Sequence, residues 1–131
     1  MDLICVDPAR VQEVWPLVRE RVKMAIEATG LSDFDMIEAD ILAGDQLVWL
    51  AWDGAISAVA TTHKSKAGDK TICTLTACQG YNRATWLPLF KQIEKYAKDE
   101  GCSSMRIYGR KGWERVLDGY KVENVIMEKV L

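Results

Sequence analysis

The sequence predicts one mixed α/β domain, and three observations carry that expectation. Two helix-patterned segments come first. Three strand-patterned segments joined by turn signals follow. An amphipathic helix then separates the third strand from a fourth, and a short helix separates the fourth from a fifth. Such a succession packs as helices layered on a sheet. A chain of 131 residues suits a single core, so residues 1–131 read as one domain.

Asp7-Pro8 opens the first helix, because Asp caps free amides and Pro fits the first turn. Val11, Val14, Trp15, Val18, Val22, Ala25 and Ile26 then recur at helical spacing up to the stop at Gly30. Pro16 should kink or split this helix near Trp15. A second helix, Asp33 to Ala43, buries Phe34, Ile37, Ile41 and Leu42 and ends at Gly44. Its other side, with Asp35, Glu38 and Asp40, reads as a solvated face. Residues 46–52 are apolar on both sides, as in a strand covered on both faces. Asp53-Gly54 signals a hairpin into a strand over 55–63. Gly68-Asp69 marks the next turn, and 71–78 alternates Thr with apolar residues as a third strand. The helix over 85–100 places Trp86, Leu89, Phe90, Ile93, Tyr96 and Ala97 on one face, with Pro88 in its first turn. Residues 104–108 should run parallel to 71–78, since a helix crosses between them. A short helix near 110–118 and a strand over 122–131 complete the chain.

The composition excludes several classes. No apolar run reaches membrane-spanning length, and Met1-Asp2-Leu3-Ile4-Cys5 lacks the features of a signal peptide. These features predict a cytoplasmic protein with no membrane partner. The four cysteines have no CxxC spacing and only His63 beside them, so neither a metal site nor a disulfide is expected. Net charge is −2, yet residues 1–63 carry 4 basic and 11 acidic side chains, and 64–131 carry 13 basic and 8 acidic. A basic half suits a phosphate-rich ligand. The absence of a dense Lys/Arg run argues against nucleic acid.

The segment Tyr108-Gly109-Arg110-Lys111-Gly112-Trp113-Glu114-Arg115-Val116-Leu117-Asp118-Gly119-Tyr120 sets a short helix between two strands and closes in Gly-Tyr. This ending resembles that of the GNAT superfamily of N-acetyltransferases. Its Gly-Arg-x-Gly-Trp form resembles a subgroup found in tailed phages and prophages. The element order is similar to that fold across nearly the whole chain. The resemblance implies a GNAT-like fold: a central mixed, mostly antiparallel sheet with helices on both faces.

In that family a Gln/Arg-x-x-Gly-x-Gly/Ala loop before the main helix binds the pyrophosphate of acetyl-CoA. Gln79-Gly80-Tyr81-Asn82-Arg83-Ala84 matches at Gln79 and Ala84, with Asn82 in place of the middle glycine. Asn tolerates left-handed backbone better than most residues. The resemblance thus implies acetyl-CoA or CoA as substrate, without a metal. It would be held by the backbone at Leu75, Ala77 and Cys78 and by the loop residues Gln79, Gly80, Asn82, Arg83, Ala84 and Thr85. Acyl transfer to an amine needs a base for the ammonium proton and an acid for the departing thiolate. The family's Glu and Tyr have no counterpart in strand 71–78 or in the last helix. His63, whose ordinary pKa suits a base, is the first candidate for that role. Tyr108 and Tyr120 are the candidate acids.

Two functions follow from the resemblance. One is an acyl-CoA-dependent N-acyltransferase acting on a small-molecule or protein amine. The other is a non-catalytic phage structural or accessory protein, virion-associated and acting through contacts with phage particle proteins. A sensor that binds CoA without turnover is a third.

Overall fold

A computed structural model describes residues 1–131. Its five-stranded sheet has the order β1-β2-β3-β4-β5, formed by β1 (Asp2–Cys5), β2 (Gln46–Trp52), β3 (Ile56–Ala67), β4 (Lys70–Gly80) and β5 (Ser104–Ile107). The first three ladders are antiparallel, and only β4–β5 is parallel. The chain is a mixed α+β protein with helices on both faces of a mostly antiparallel sheet, as the sequence predicts.

One face carries α1 (Val11–Thr29) and α2 (Phe34–Ala43). Asp7 and Asp33 accept hydrogen bonds from the amides of Ala9 and Asp35 at the two helix starts. Gly30 and Gly44 close the helices in the left-handed conformation that glycine adopts without strain. The helix is not split: α1 runs as one helix through Pro16. Trp15, Val18 and Val22 are buried on both sides of the proline, and packing holds the helix across the missing hydrogen bond. Val18, Val22, Ile26, Phe34, Ile37, Ile41, Val48, Leu50 and Val59 belong to one continuous core. The acidic face of α2 is only partly solvated. Glu38 accepts from the Trp15 indole at 2.7 Å and from Arg19, and Asp40 accepts from Gln46 at 3.2 Å.

The opposite face is covered by α3 (Arg83–Trp86), a 3-10 turn Leu87–Leu89, α4 (Phe90–Asp99) and the segment after β5. Trp49, Leu75, Phe90, Ile93 and Leu117 form its core, with Trp113 and Tyr120 half-buried against it. The expected single helix over 85–100 is therefore three pieces. Pro88 has no N–H and crowds the preceding turn, which forces the 3-10 step. The expected helix near 110–118 is a 3-10 turn, Lys111–Arg115.

Two further expectations are corrected. Asp2–Cys5 forms an edge strand that its mostly exposed side chains did not announce. Residues 122–131 form no strand, and β5 pairs with β4 alone. Apolar content makes a strand only where a ladder partner is at hand, and this segment has none within the chain.

Candidate functional site

The parallel pair β4–β5 extends over four residue pairs, from Ile72↔Ser104 to Leu75↔Ile107. One more bond, from the Tyr108 amide to the Leu75 carbonyl at 3.2 Å, ends the contact. Beyond it β5 turns away at Gly109 while β4 continues to Gly80. The backbone of 76–78 on that side has no strand partner. Between β3 and β4 the register shifts so that Thr61 faces Ala77 and Thr62 faces Leu75, leaving Thr76 as a bulge.

A cavity of about 230 Å³ fills the parting of the strands. Leu75, Ala77 and Cys78 form one wall, and Ile107 to Arg110 with Trp113 form the other. Ala25, Ala28 and Thr29 at the end of α1 close the third side. Ala25 and Ala28 stand three apart on one helix face, and their small side chains leave the space. Gly109 lets Trp113 lie against the backbone, since a Cβ there would meet the indole at 2.9 Å. Trp113 in turn packs against Trp86, with ring centroids 6.3 Å apart.

Of the candidate binding residues, Leu75, Ala77 and Cys78 line this cavity. Gln79 and Gly80 are the last residues of β4. The Gln79 side-chain amide oxygen Oε1 accepts from the Arg21 guanidinium, which also donates to the backbone carbonyls of Ile56 at 2.8 Å and Ser57 at 3.1 Å and stacks on Tyr81. Arg21 therefore ties α1 to the starts and ends of the neighbouring strands. Gly80 is a packing requirement, because a Cβ would come within 2.6 Å of the Trp86 indole and 2.7 Å of Ala58. Asn82 takes the left-handed conformation, φ 53° and ψ 62°, that its short amide side chain tolerates. Its carbonyl accepts from the Thr85 amide at 2.9 Å and the Thr85 hydroxyl at 2.7 Å, and Arg83, Ala84 and Thr85 are exposed. The helix behind this turn, however, is the four-residue α3. A long helix dipole does not stand behind the loop. The turn itself and the Arg83 charge are what it offers an anion.

The three candidate catalytic residues separate. Tyr108 lines the cavity and is exposed. Tyr120 packs edge-on against Phe90 and donates its phenol proton to Glu94 at 2.7 Å. Burial first, then that carboxylate, drives its pKa well above the usual tyrosine range. His63 lies on β3 between Gln46 and Thr74. Neither His63 nor Tyr120 lines the cavity, and neither does any carboxylate. Burial pushes the Cys78 thiol up to about 12, so it stays protonated at neutral pH and is no nucleophile. No group of three or more His, Cys, Asp or Glu side chains converges on a metal-sized space.

Sequence reasoning missed Arg21, Ala25, Ala28, Gly109 and Arg110. Only Gly109 and Arg110 had a local signal, the Gly-Arg-x-Gly-Trp run. The others depend on which part of α1 meets the end of β4.

No protein-family model and no curated protein sequence matches the chain. Solved structures do. One similar structure is a probable acetyltransferase, with a TM-score of 0.65 and 14% identity over 100% of this chain and 97% of that one. Another is a predicted acetyltransferase from Clostridium acetobutylicum, solved with acetyl-CoA, at a TM-score of 0.68 and 11% identity over 98% and 95% of the two chains. A third is an aminoglycoside acetyltransferase from an uncultured soil metagenomic sample, in complex with sisomicin, at a TM-score of 0.66 and 10% identity over 99% and 95%. The fold is thus that of the GNAT-like acetyltransferases. The phage subgroup gains no support from these structures.

Proposed function

We propose that this chain is an acyl-CoA-dependent N-acyltransferase that holds the acyl thioester where β4 and β5 part. The observation that carries the reading is the cavity of about 230 Å³ at that parting, with unpaired β4 backbone on one wall and Tyr108 on the other. From Cys78 on its wall, β4 runs through Gln79 and Gly80 into the exposed turn 81–85, an order that suits a ligand with an acyl end and a phosphate end. The acetyltransferase names of the similar structures, one of them solved with acetyl-CoA, support it.

In this reading the backbone of 76–78 offers N–H groups to the thioester carbonyl, where negative charge develops during attack. Gly80, Asn82, Arg83, Ala84 and Thr85 form the phosphate end, and Gln79 shapes it through Arg21. The amine nitrogen attacks the carbonyl carbon and the C–S bond breaks. Tyr108 gives its proton to the departing sulfur. The ammonium proton leaves to water, because no histidine or carboxylate lines the cavity.

Calorimetry with acetyl-CoA and CoA, paired with turnover over a panel of amines, tests the proposal. Binding and slow acyl transfer are expected. Asn82→Asp combined with Arg83→Glu should weaken CoA binding at least tenfold, about 1.4 kcal/mol. A folded protein that binds neither ligand at millimolar concentration overturns the reading. Binding with no turnover of any amine would favour a CoA sensor, the reading that the missing base would then explain.

A further inference from the structure

We infer that the acceptor is an amine carrying a carboxylate, which His63, Thr74 and Arg106 hold on the α1 side of the sheet, one residue along β4 and β5 from the cavity. The inference rests on the acyltransferase reading and names the substrate class of that site.

The three residues form one row across the sheet. Thr74 of β4 is directly opposite His63 of β3 and Arg106 of β5. Residues opposite one another in a ladder point to the same face. That face is fixed at both ends of the row. Met105 and Ile107, on either side of Arg106, pack into the core on the α4 side, so Arg106 points the other way. Beyond His63 the row continues into Gln46 of β2, whose amide donates to Asp40 of α2. α1 covers this face as far as Thr29 at the cavity and stops at Gly30. Arg106 is exposed and His63 half-buried.

The fold does not use the polar groups of these three residues. Gln46 is fully engaged, since it accepts from Thr76 and donates to Asp40. The His63 ring, the Thr74 hydroxyl and the Arg106 guanidinium make no hydrogen bond or ion pair within the chain. Thr74 is 5% exposed, yet no buried side-chain donor or acceptor lacks a partner, so its hydroxyl is the part that meets solvent.

The donors match a carboxylate in number and spacing. A carboxylate accepts about four hydrogen bonds, and an arginine fork gives it two in parallel, with one each from a hydroxyl and an imidazole. Neighbouring strands lie about 4.8 Å apart, so side chains from one row meet on a group of that size. Leu75 and Ile107, the next residues along β4 and β5, line the cavity. One residue advances a strand by about 3.3 Å. A carboxylate on the row therefore leaves its own amine, a few bonds away, at the parting of the strands where the thioester carbonyl is held.

The test compares acyl transfer from acetyl-CoA to glycine, β-alanine and 4-aminobutyrate with transfer to methylamine, ethylamine and propylamine. The carboxylated series should have the higher kcat/KM. Arg106→Gln should lower the ratio between the series about 10–100-fold, the worth of hydrogen bonds to a charged group. Thr74→Val and His63→Gln should each lower it less. Equal kcat/KM for the two series overturns the inference, and so does a loss in Arg106→Gln that both series share. A preference for 2-aminoethyl phosphate over every carboxylated amine also overturns it. A nuclear magnetic resonance titration with 4-aminobutyrate reads the subsite without turnover, through the amides of His63, Thr74 and Arg106. Shifts that Arg106→Gln abolishes, in a protein that binds no acetyl-CoA, would keep the carboxylate subsite and sink the acyltransferase reading. Acetyl-CoA binding with no shift at high millimolar 4-aminobutyrate would do the reverse.

Discussion

The two edges of β4 are built in opposite ways. Toward β3 it is paired over ten residue positions, from Ala58↔Gly80 to Ala67↔Lys70. Buried polar groups add a second set of ties. The Thr61 hydroxyl donates to Thr76 Oγ1 at 2.6 Å, which donates to Gln46 Oε1 at 2.8 Å, and Gln46 donates to Asp40. The Trp49 indole donates to Thr62 at 2.9 Å. No buried side-chain donor or acceptor is left without a partner. Toward β5 the same strand is paired at four positions and then faces a cavity. A ligand-binding strand needs both edges. Backbone groups stay available for a substrate only if the strand is held from the other side, because unpaired buried backbone otherwise collapses onto a partner. The cavity here comes from pairing that stops early.

The largest expected contrast compares one tryptophan on each edge. Trp49→Ala removes a buried ring, its hydrogen bond to Thr62 and its edge contact with Tyr96, and should cost about 3–5 kcal/mol in urea unfolding. Trp113→Ala, at the cavity wall, should cost roughly 1–2 kcal/mol, because only part of the ring is buried. Equal losses would show that the β5 side is packed as tightly as the β3 side.

Next come the two tyrosines. Tyr108→Phe should lower turnover about 100-fold if its phenol is the acid for the leaving thiolate. Tyr120→Phe should leave turnover within a few-fold of wild type and lower stability by about 1 kcal/mol through loss of the bond to Glu94. The reverse pattern in a steady-state assay would move the acid to the α4 side of the sheet.

A smaller effect is expected from Thr76→Val. It keeps the bulge's volume but leaves Gln46 Oε1 without its donor in a buried site, at about 1–3 kcal/mol. If melting does not change, the hydroxyl chain is not what holds the closed edge.

The smallest effect is a pH dependence on the α1–α2 face. The Arg19 hydrogen bond, then that of Trp15, holds the Glu38 carboxyl below its ordinary value near 4.5. A carboxyl depressed in the folded state contributes stability above that ordinary value and loses it as pH falls through the folded value. Wild type should therefore lose melting temperature more steeply than Glu38→Gln on acidification below about pH 4.5. Parallel melting curves for the two proteins would remove this pair from the account of acid stability.

The legible parts of the fold were those with local patterns. Val18, Val22 and Ile26 repeat at helical spacing and are the buried stripe of α1. Asp53-Gly54 and Gly68-Asp69 do turn the chain between β2, β3 and β4. The candidate loop was legible at Asn82, whose left-handed backbone is a property of that residue type. The β1 strand was not legible, because an edge strand with exposed side chains carries no alternation. The position of Pro88 was legible, but its effect was not, because the start of the helix moved two residues earlier to Arg83.

What the sequence determined by itself is the order of helices and strands from α1 to β5 and most of their apolar faces, though not the exposed Leu42 of α2, since these rest on periodicities of a few residues. The tertiary structure alone decided the site. Ala25, Leu75 and Ile107 are far apart in the chain and meet only because α1 crosses the end of β4 where β5 leaves it. It also separated Tyr108 from Tyr120, two residues alike in the sequence, by placing one in the cavity and the other on a carboxylate of α4. A local pattern records which way a side chain faces, whereas a cavity depends on where distant backbones part.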